Sequence, residues 1–235
     1  MLALMSRRPL LRRTLLVVLA LLLALVAAAW LAMPTPKEYD VVSIKEDARY
    51  QGDEALTRAW SLEVARAYKP AVQYQHNPSV CGPTSLANVI TSLGGEATPR
   101  SVIEGSGYCW TGYCIPGVTL EELAEIAREK LPGAQVEVIR DLSLEEFREH
   151  LRRSNDPSLR YTVNFLRGPL FRTGGGHHSP IAGYLEQEDL VLVLDVNESF
   201  GPWLVESERL FAAIDTIDPA TEKKRGLLRI TPPAS

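Results

Sequence analysis

An uncharged, apolar run from Leu15 to Met33, preceded by Arg7, Arg8, Arg12 and Arg13 and closed by Pro34, divides this 235-residue chain into two unlike parts. Roughly 20 such residues make a helix long enough to cross a bilayer. The run has no polar face, so it does not read as an amphipathic helix of a globular domain. Its basic flank is expected to stay cytoplasmic, which exports everything that follows. Residues 1–34 therefore read as an uncleaved transmembrane anchor. The alternative is a signal peptide cut near Ala27, Ala28 and Ala29, although the run is longer than a usual signal core.

Residues 35–70 are polar and mixed, with a weakly helical stretch around Ala55 to Tyr68, and read as a tether. Residues 71–232 read as one domain, since a chain that is 46% hydrophobic has ample material for a single core. A net charge of -4 and a pI near 5.7 leave no basic footprint, so nucleic acid is not expected as a partner.

Leu86, Val89, Ile90 and Leu93 share one helical face that begins just after Cys81 and stops at Gly94 and Gly95. Two capping boxes, Thr119 with Glu122 and Ser143 with Glu146, announce further helices. Later in the chain, Val136–Ile139, Tyr161–Phe165, Pro180–Tyr184, Leu190–Val196 and Leu227–Ile230 are short β-rich runs between turns. The expected class is α+β, with a helical first half and a sheet in the second.

Three cysteines permit at most one disulfide and leave one thiol over. Cys109 and Cys114 lie close together in CWTGYC, and their pairing would leave Cys81 free. At a helix N-terminus Cys81 meets unpaired N–H groups and the positive end of the helix dipole, which favour thiolate. Gly82 permits close backbone approach and Pro83 suits a first helical turn. A lone cysteine is more often a small buried hydrophobe, a reading these neighbours oppose.

A thiol nucleophile needs a base, and the chain has four histidines. His150 sits on a charged helix and reads as solvated; His76 has no evident carboxylate to orient it. His177 and His178 follow the Gly174–Gly176 tract and open a strand, where an imidazole can be presented at a cleft. Spacing does not separate these two from each other, nor from a surface or weak metal-binding pair. Asp195 closes the apolar run Leu190–Leu194, where burial would demand a hydrogen-bonding partner, and it suits the orienting role. It could equally start the turn at Asn197.

QHNPSVCGPTSLANVITSLG around Cys81, GGGHHSPIAGY around His177 and LVLVLDV ending near Asp195 together resemble the phytochelatin synthase family over about Gln73 to Ile230. The resemblance implies a papain-like cysteine-protease fold with an antiparallel sheet, and residues 71–232 as the catalytic domain. It makes Cys81 the nucleophile, His177 rather than His178 the base, Asp195 the orienting acid and Gln75 an oxyanion-hole side chain. Asp218 and Arg225 match a family segment and are implied to bind substrate, with Arg225 able to pair a carboxylate bidentately.

The implied reaction is acyl transfer on glutathione through a γ-glutamylcysteinyl-enzyme, with loss of glycine. Because the chain stops at Ser235, without the cysteine-rich region of the eukaryotic enzymes, it looks like the short bacterial type, for which hydrolysis to γ-glutamylcysteine is the expected outcome. No cofactor is required and no metal-ligating residue is implied; cadmium or zinc would serve as activator or thiolate co-substrate in metal detoxification. Expected partners are glutathione or a related γ-glutamyl peptide and, through the N-terminal helix, the membrane; a homodimer is left open. The location implied is the periplasmic side of a bacterial inner membrane, or the periplasm after cleavage. Two other readings are an exported peptidase of the bacteriocin-processing type and a non-enzymatic metal-binding or redox module built on Cys109, Cys114 and the His pair.

Overall fold

The computed structural model describes residues 7–31, 37–69 and 72–233, in two units that divide after Pro36. In the first unit a single helix, α1 (Arg7–Leu31), carries most of the apolar run. Met33 and Pro34, which close the predicted span, lie outside the described residues, as do Pro70 and Ala71 at the predicted domain boundary. Among the described residues no helix is long and apolar enough to cross a membrane.

The second unit opens with helices: α2 (Asp53–Ser61), α3 (Glu63–Arg66), α4 (Cys81–Ser92), α5 (Pro99–Ile103) and α6 (Leu120–Lys130). Then follow β1 (Gln135–Ile139), α7 (Leu144–Arg153), β2 (Arg160–Leu166), α8 (Gly168–Phe171), three successive strands β3 (Gly176–Leu185), β4 (Leu190–Leu194) and β5 (Pro202–Glu206), and α9 (Ser207–Ile214). A short ribbon of β6 (Ile217–Asp218) and β7 (Lys223–Lys224) precedes the last strand, β8 (Gly226–Thr231). Both predicted capping boxes form, with Thr119 and Ser143 each accepting from the backbone N–H three residues on while the glutamate answers the cap. A third, Thr98 with Ser101, starts α5.

The main sheet runs β1-β8-β2-β3-β4-β5 and is antiparallel throughout. Strand alternation feeds two faces, and both are covered. Val191 and Val193 join Tyr161, Phe165, Phe147 and Trp203 in one core, whereas Leu190, Leu192 and Leu194 pack with α2 and α3 on the other side. That is why β4 reads as an unbroken apolar run rather than an alternating one. A further core joins α4 and α6 to Leu228 and Ile230 of β8.

The expected tether is not free. Ile44, Tyr50, Ala59, Val64 and Tyr68 are buried, and Tyr50 O accepts from Leu204 N at 2.8 Å, continuing past the sheet edge. Its buried positions are interspersed with charges, and three of them, Ala55, Ala59 and Ala65, are too small to stand out as a core-facing stripe.

Candidate active site

Helix α4 begins at Cys81 because Asn77 closes the preceding turn: its Oδ1 accepts from Ser79 N at 2.9 Å and bends Pro78–Val80 into the helix. The Ser85 hydroxyl lies 2.8 Å from Cys81 O and 2.9 Å from His178 O, tying α4 to β3. Gly82 is needed for packing, since a Cβ there would run into the Val118 side chain. This first turn of α4 is buried, and Cys81 is the one free thiol, because Cys109 and Cys114 are joined as a disulfide.

Neighbouring residues of a strand point to opposite sides, and this separates the two histidines. His177 pairs across the ladder with Phe165, against whose ring it packs edge-on, and its Nε2 lies 3.0 Å from Asp195 Oδ1. With Nε2 engaged there, Nδ1 is the ring nitrogen left for Cys81, and the two groups shift each other's titration. His178 pairs with Asn164 instead. Its Nε2 lies 3.0 Å from Asn164 Nδ2 and 3.1 Å from Val118 O, and burial drives its pKa down to about 3. Two imidazoles facing apart cannot grip one ion, and among the described residues no group of three or more His, Cys, Asp or Glu is arranged to hold a metal.

The electrostatics of the Cys81–His177 pair are reciprocal. Burial pushes the thiol up, but the charge of His177, its hydrogen bond and the backbone N–H groups of His178 and Gly82 prevail and hold Cys81 below its ordinary value. Burial likewise pulls His177 down, and is outweighed by Cys81 and by the hydrogen bond and charge of Asp195, so the imidazole is raised. Such a pair tends toward thiolate and imidazolium, a nucleophile with its proton donor beside it.

Asp195 is fully buried at the end of β4 and is far more than a turn residue. Besides His177, its oxygens accept from Arg167 Nη2 at 2.7 and 2.8 Å, from Trp203 Nε1 at 3.0 Å and from Asn197 N at 2.9 Å. Burial would raise its pKa, yet His177 and Arg167 hold it well below the usual carboxylate range. Nothing in the sequence marks Arg167 or Trp203 as partners of Asp195: Arg167 merely follows the β2 run, and the contact of Trp203 depends on how β5 pairs with β4.

Gln75 is anchored next to this group, its N–H donating to Val196 O at 2.8 Å, while its side-chain Oε1 is buried without a partner. Cys81 opens onto a cleft of about 360 Å³, lined also by Val118, Asn164, His178, Asp218 and Arg225. Arg225 is buried, and its Nη1 donates to Asp218 Oδ2 at 3.1 Å and to Asn164 Oδ1 at 3.2 Å, leaving Nε without a partner. Gly176 lies beside it, and a Cβ there would displace the guanidinium. His76 is exposed, and His150 is half-buried with Nδ1 3.2 Å from the Tyr161 hydroxyl, so it is less solvated than its charged helix suggested.

A buried thiol–imidazole–carboxylate group beside a cleft that holds the Arg225–Asp218 ion pair is equipped for acyl transfer. Comparison with known proteins agrees in kind. The fold is shared with a C39-like peptidase from Bacillus anthracis, at a TM-score of 0.51 and 15% identity over 72% of this chain and 97% of that one. The chain is similar to Glutathione gamma-glutamylcysteinyltransferase 3 of Lotus japonicus, 31% identical over 85% of this chain and 43% of that protein. It is also similar to Glutathione gamma-glutamylcysteinyltransferase 2 of Arabidopsis thaliana, 27% identical over 79% of this chain and 44% of that protein. It thus spans less than half the length of these relatives. A family model described as phytochelatin synthase matches residues 43–227, from the first buried helical turn to the last strand of the sheet, and the chain therefore belongs to the phytochelatin synthase family.

Proposed function

We propose that this protein cleaves the Cys–Gly bond of glutathione through a γ-glutamylcysteinyl thioester on Cys81. The observation that carries the reading is the junction of two features: the Cys81–His177–Asp195 group, and a cleft at Cys81 that presents the buried Arg225–Asp218 pair. In this scheme the thiolate attacks the carbonyl between cysteine and glycine, and the imidazolium of His177 gives its proton to the departing glycine amine. The Gln75 amide and a backbone N–H at the start of α4 stabilise the oxyanion, each donor being worth on the order of 3 kcal/mol. Arg225 receives a substrate carboxylate and Asp218 an ammonium, as their charges suit.

The acyl-enzyme is then resolved by water, giving γ-glutamylcysteine, or by the amine of a second glutathione, giving the shortest phytochelatin. Cadmium or zinc enters as a metal-thiolate form of that second substrate. The names of the relatives support the substrate class, and the fold supports a cysteine acyl-transfer mechanism in general. Incubation with glutathione, with and without cadmium, followed by amino-acid analysis, should release free glycine, and Cys81→Ala should abolish the release. Glutathione left intact while a peptide substrate is cut would favour the peptidase reading instead.

The apolar N-terminal run supports a further part of this proposal, that the enzyme works outside the cytoplasm, held by an anchor. Fractionation of the full chain and of a form beginning at Lys37 tests it: the full chain should pellet with membranes and the shorter one should not.

A further inference from the structure

Asp195 poses an electrostatic problem that the Cys–His–Asp group alone does not solve. Its carboxylate is wholly buried, and an ion in that setting is costly unless a counter-charge is at hand. His177 supplies one only when protonated, while the N–H groups of Trp203 and Asn197 are neutral. A guanidinium is a fixed cation, and one nitrogen of Arg167 reaches both carboxylate oxygens.

The guanidinium is itself held in place. It lies over the Phe200 ring, 3.9 Å from the centroid, with Phe165 and Phe171 also nearby. Its Nη1 is buried without a partner, so no second acceptor draws it away. The Arg167 N–H donates to Gly175 O at 3.0 Å and closes the β2–β3 hairpin, whose next strand residues include His177. One hairpin therefore carries both the imidazole and the cation that secures its carboxylate.

We infer that Arg167 is a positioning residue for this site: by holding both oxygens of Asp195 it keeps the carboxylate ionised and aimed at His177, whether or not the imidazole carries a proton. The inference rests on the Cys81–His177–Asp195 reading and extends it to a fourth residue. Other groups facing the cluster do not replace it. Tyr50 has a hydroxyl pushed up by burial and by Asp195 itself, Tyr74 one pushed up by burial, Glu198 and Asp195, Lys45 lies over the Phe200 ring, and Arg225 faces Cys81 from the cleft. Without Arg167, Asp195 takes up a proton more readily and the imidazolium loses its counter-ion. The thiolate–imidazolium pair then forms only at higher pH.

The test is the pH dependence of Cys81 alkylation by iodoacetamide under non-reducing conditions, where Cys109 and Cys114 are masked as the disulfide. In Arg167→Gln the alkylation midpoint should rise by about one pH unit, with Arg167→Lys falling between it and the wild type. Thermal melts confirm folding; if Arg167→Gln does not fold, the Arg167→Lys profile decides. A folded variant with the wild-type midpoint, or one shifted to lower pH, overturns the inference. No glutathione is used, so failure of the substrate assignment would leave this result standing, and an unshifted midpoint would sink the role of Arg167 alone.

Discussion

His177 and Asp195 meet at 3.0 Å although they belong to successive strands of the sheet, His177 near the start of β3 and Asp195 just past the end of β4. Antiparallel pairing of β3 with β4 brings the start of one strand beside the end of the other, so the base and its carboxylate are assembled by the ladder itself.

Asp195→Asn keeps the side chain's shape but removes the charge that favours the imidazolium. A fall in kcat of about a thousandfold is expected, with KM for glutathione little changed, because the loss is confined to the reacting groups. Steady-state kinetics on the two proteins checks it, and a mainly KM effect would contradict the assignment.

The opposed shifts of Cys81 and His177 set the direction of the pH profile. Thiolate should persist below the ordinary thiol value of 9.0 and imidazolium above the ordinary histidine value of 6.5. A bell-shaped kcat/KM curve is expected, falling on the acid side as the thiolate is protonated and on the alkaline side as the imidazolium deprotonates. Activity that only rises toward pH 9, as for an unassisted thiol, would be inconsistent with the pair.

His178 makes a separate prediction about stability. Its pKa falls from 6.5 to about 3 on burial, so between those values the unfolded chain binds a proton that the native protein does not. Native stability from this group is complete above pH 6.5 and is lost progressively as pH drops toward 3. Thermal melts across pH 4 to 7 should show a weaker slope for His178→Gln than for wild type; equal slopes would argue against a buried neutral imidazole.

These histidines also mark the boundary of what the chain discloses before folding. The thiol at a helix start, the capping boxes and the helix-then-sheet order are local patterns, and each is present in the structure. Choosing His177 over His178 needed the family resemblance, because alternation along β3 says only that they face apart. Arg167, Trp203 and Asn164 lie 28, 8 and 31 positions from Asp195, and their contacts depend on sheet register and loop closure that no local pattern encodes. The stretch around Ala55 to Tyr68 reads as a tether for a related reason: small residues such as Ala55, Ala59 and Ala65 are buried without producing a strong apolar stripe.

Gly82→Ala tests the contact at the head of α4. Its new methyl group meets Val118, so a loss of about 1 to 3 kcal/mol in stability is expected, together with reduced turnover as Cys81 shifts. Adding Val118→Ala should recover part of the stability in denaturant titrations. No recovery would mean that the glycine serves some other need.

Arg225→Lys retains a charge but not the geometry shared with Asp218 and Asn164. KM for glutathione should rise about tenfold or more while Cys81 alkylation by iodoacetamide stays near the wild-type rate. A normal KM would remove Arg225 from the substrate-binding account.

The central claim is that Cys81 carries the acyl group, and intact-protein mass spectrometry after brief mixing with glutathione tests it most directly. A γ-glutamylcysteinyl adduct, mapped to the peptide containing Cys81, released by hydroxylamine and absent from Cys81→Ser, is the predicted result. Glycine release with no adduct at Cys81, or an adduct that survives in Cys81→Ser, would contradict it.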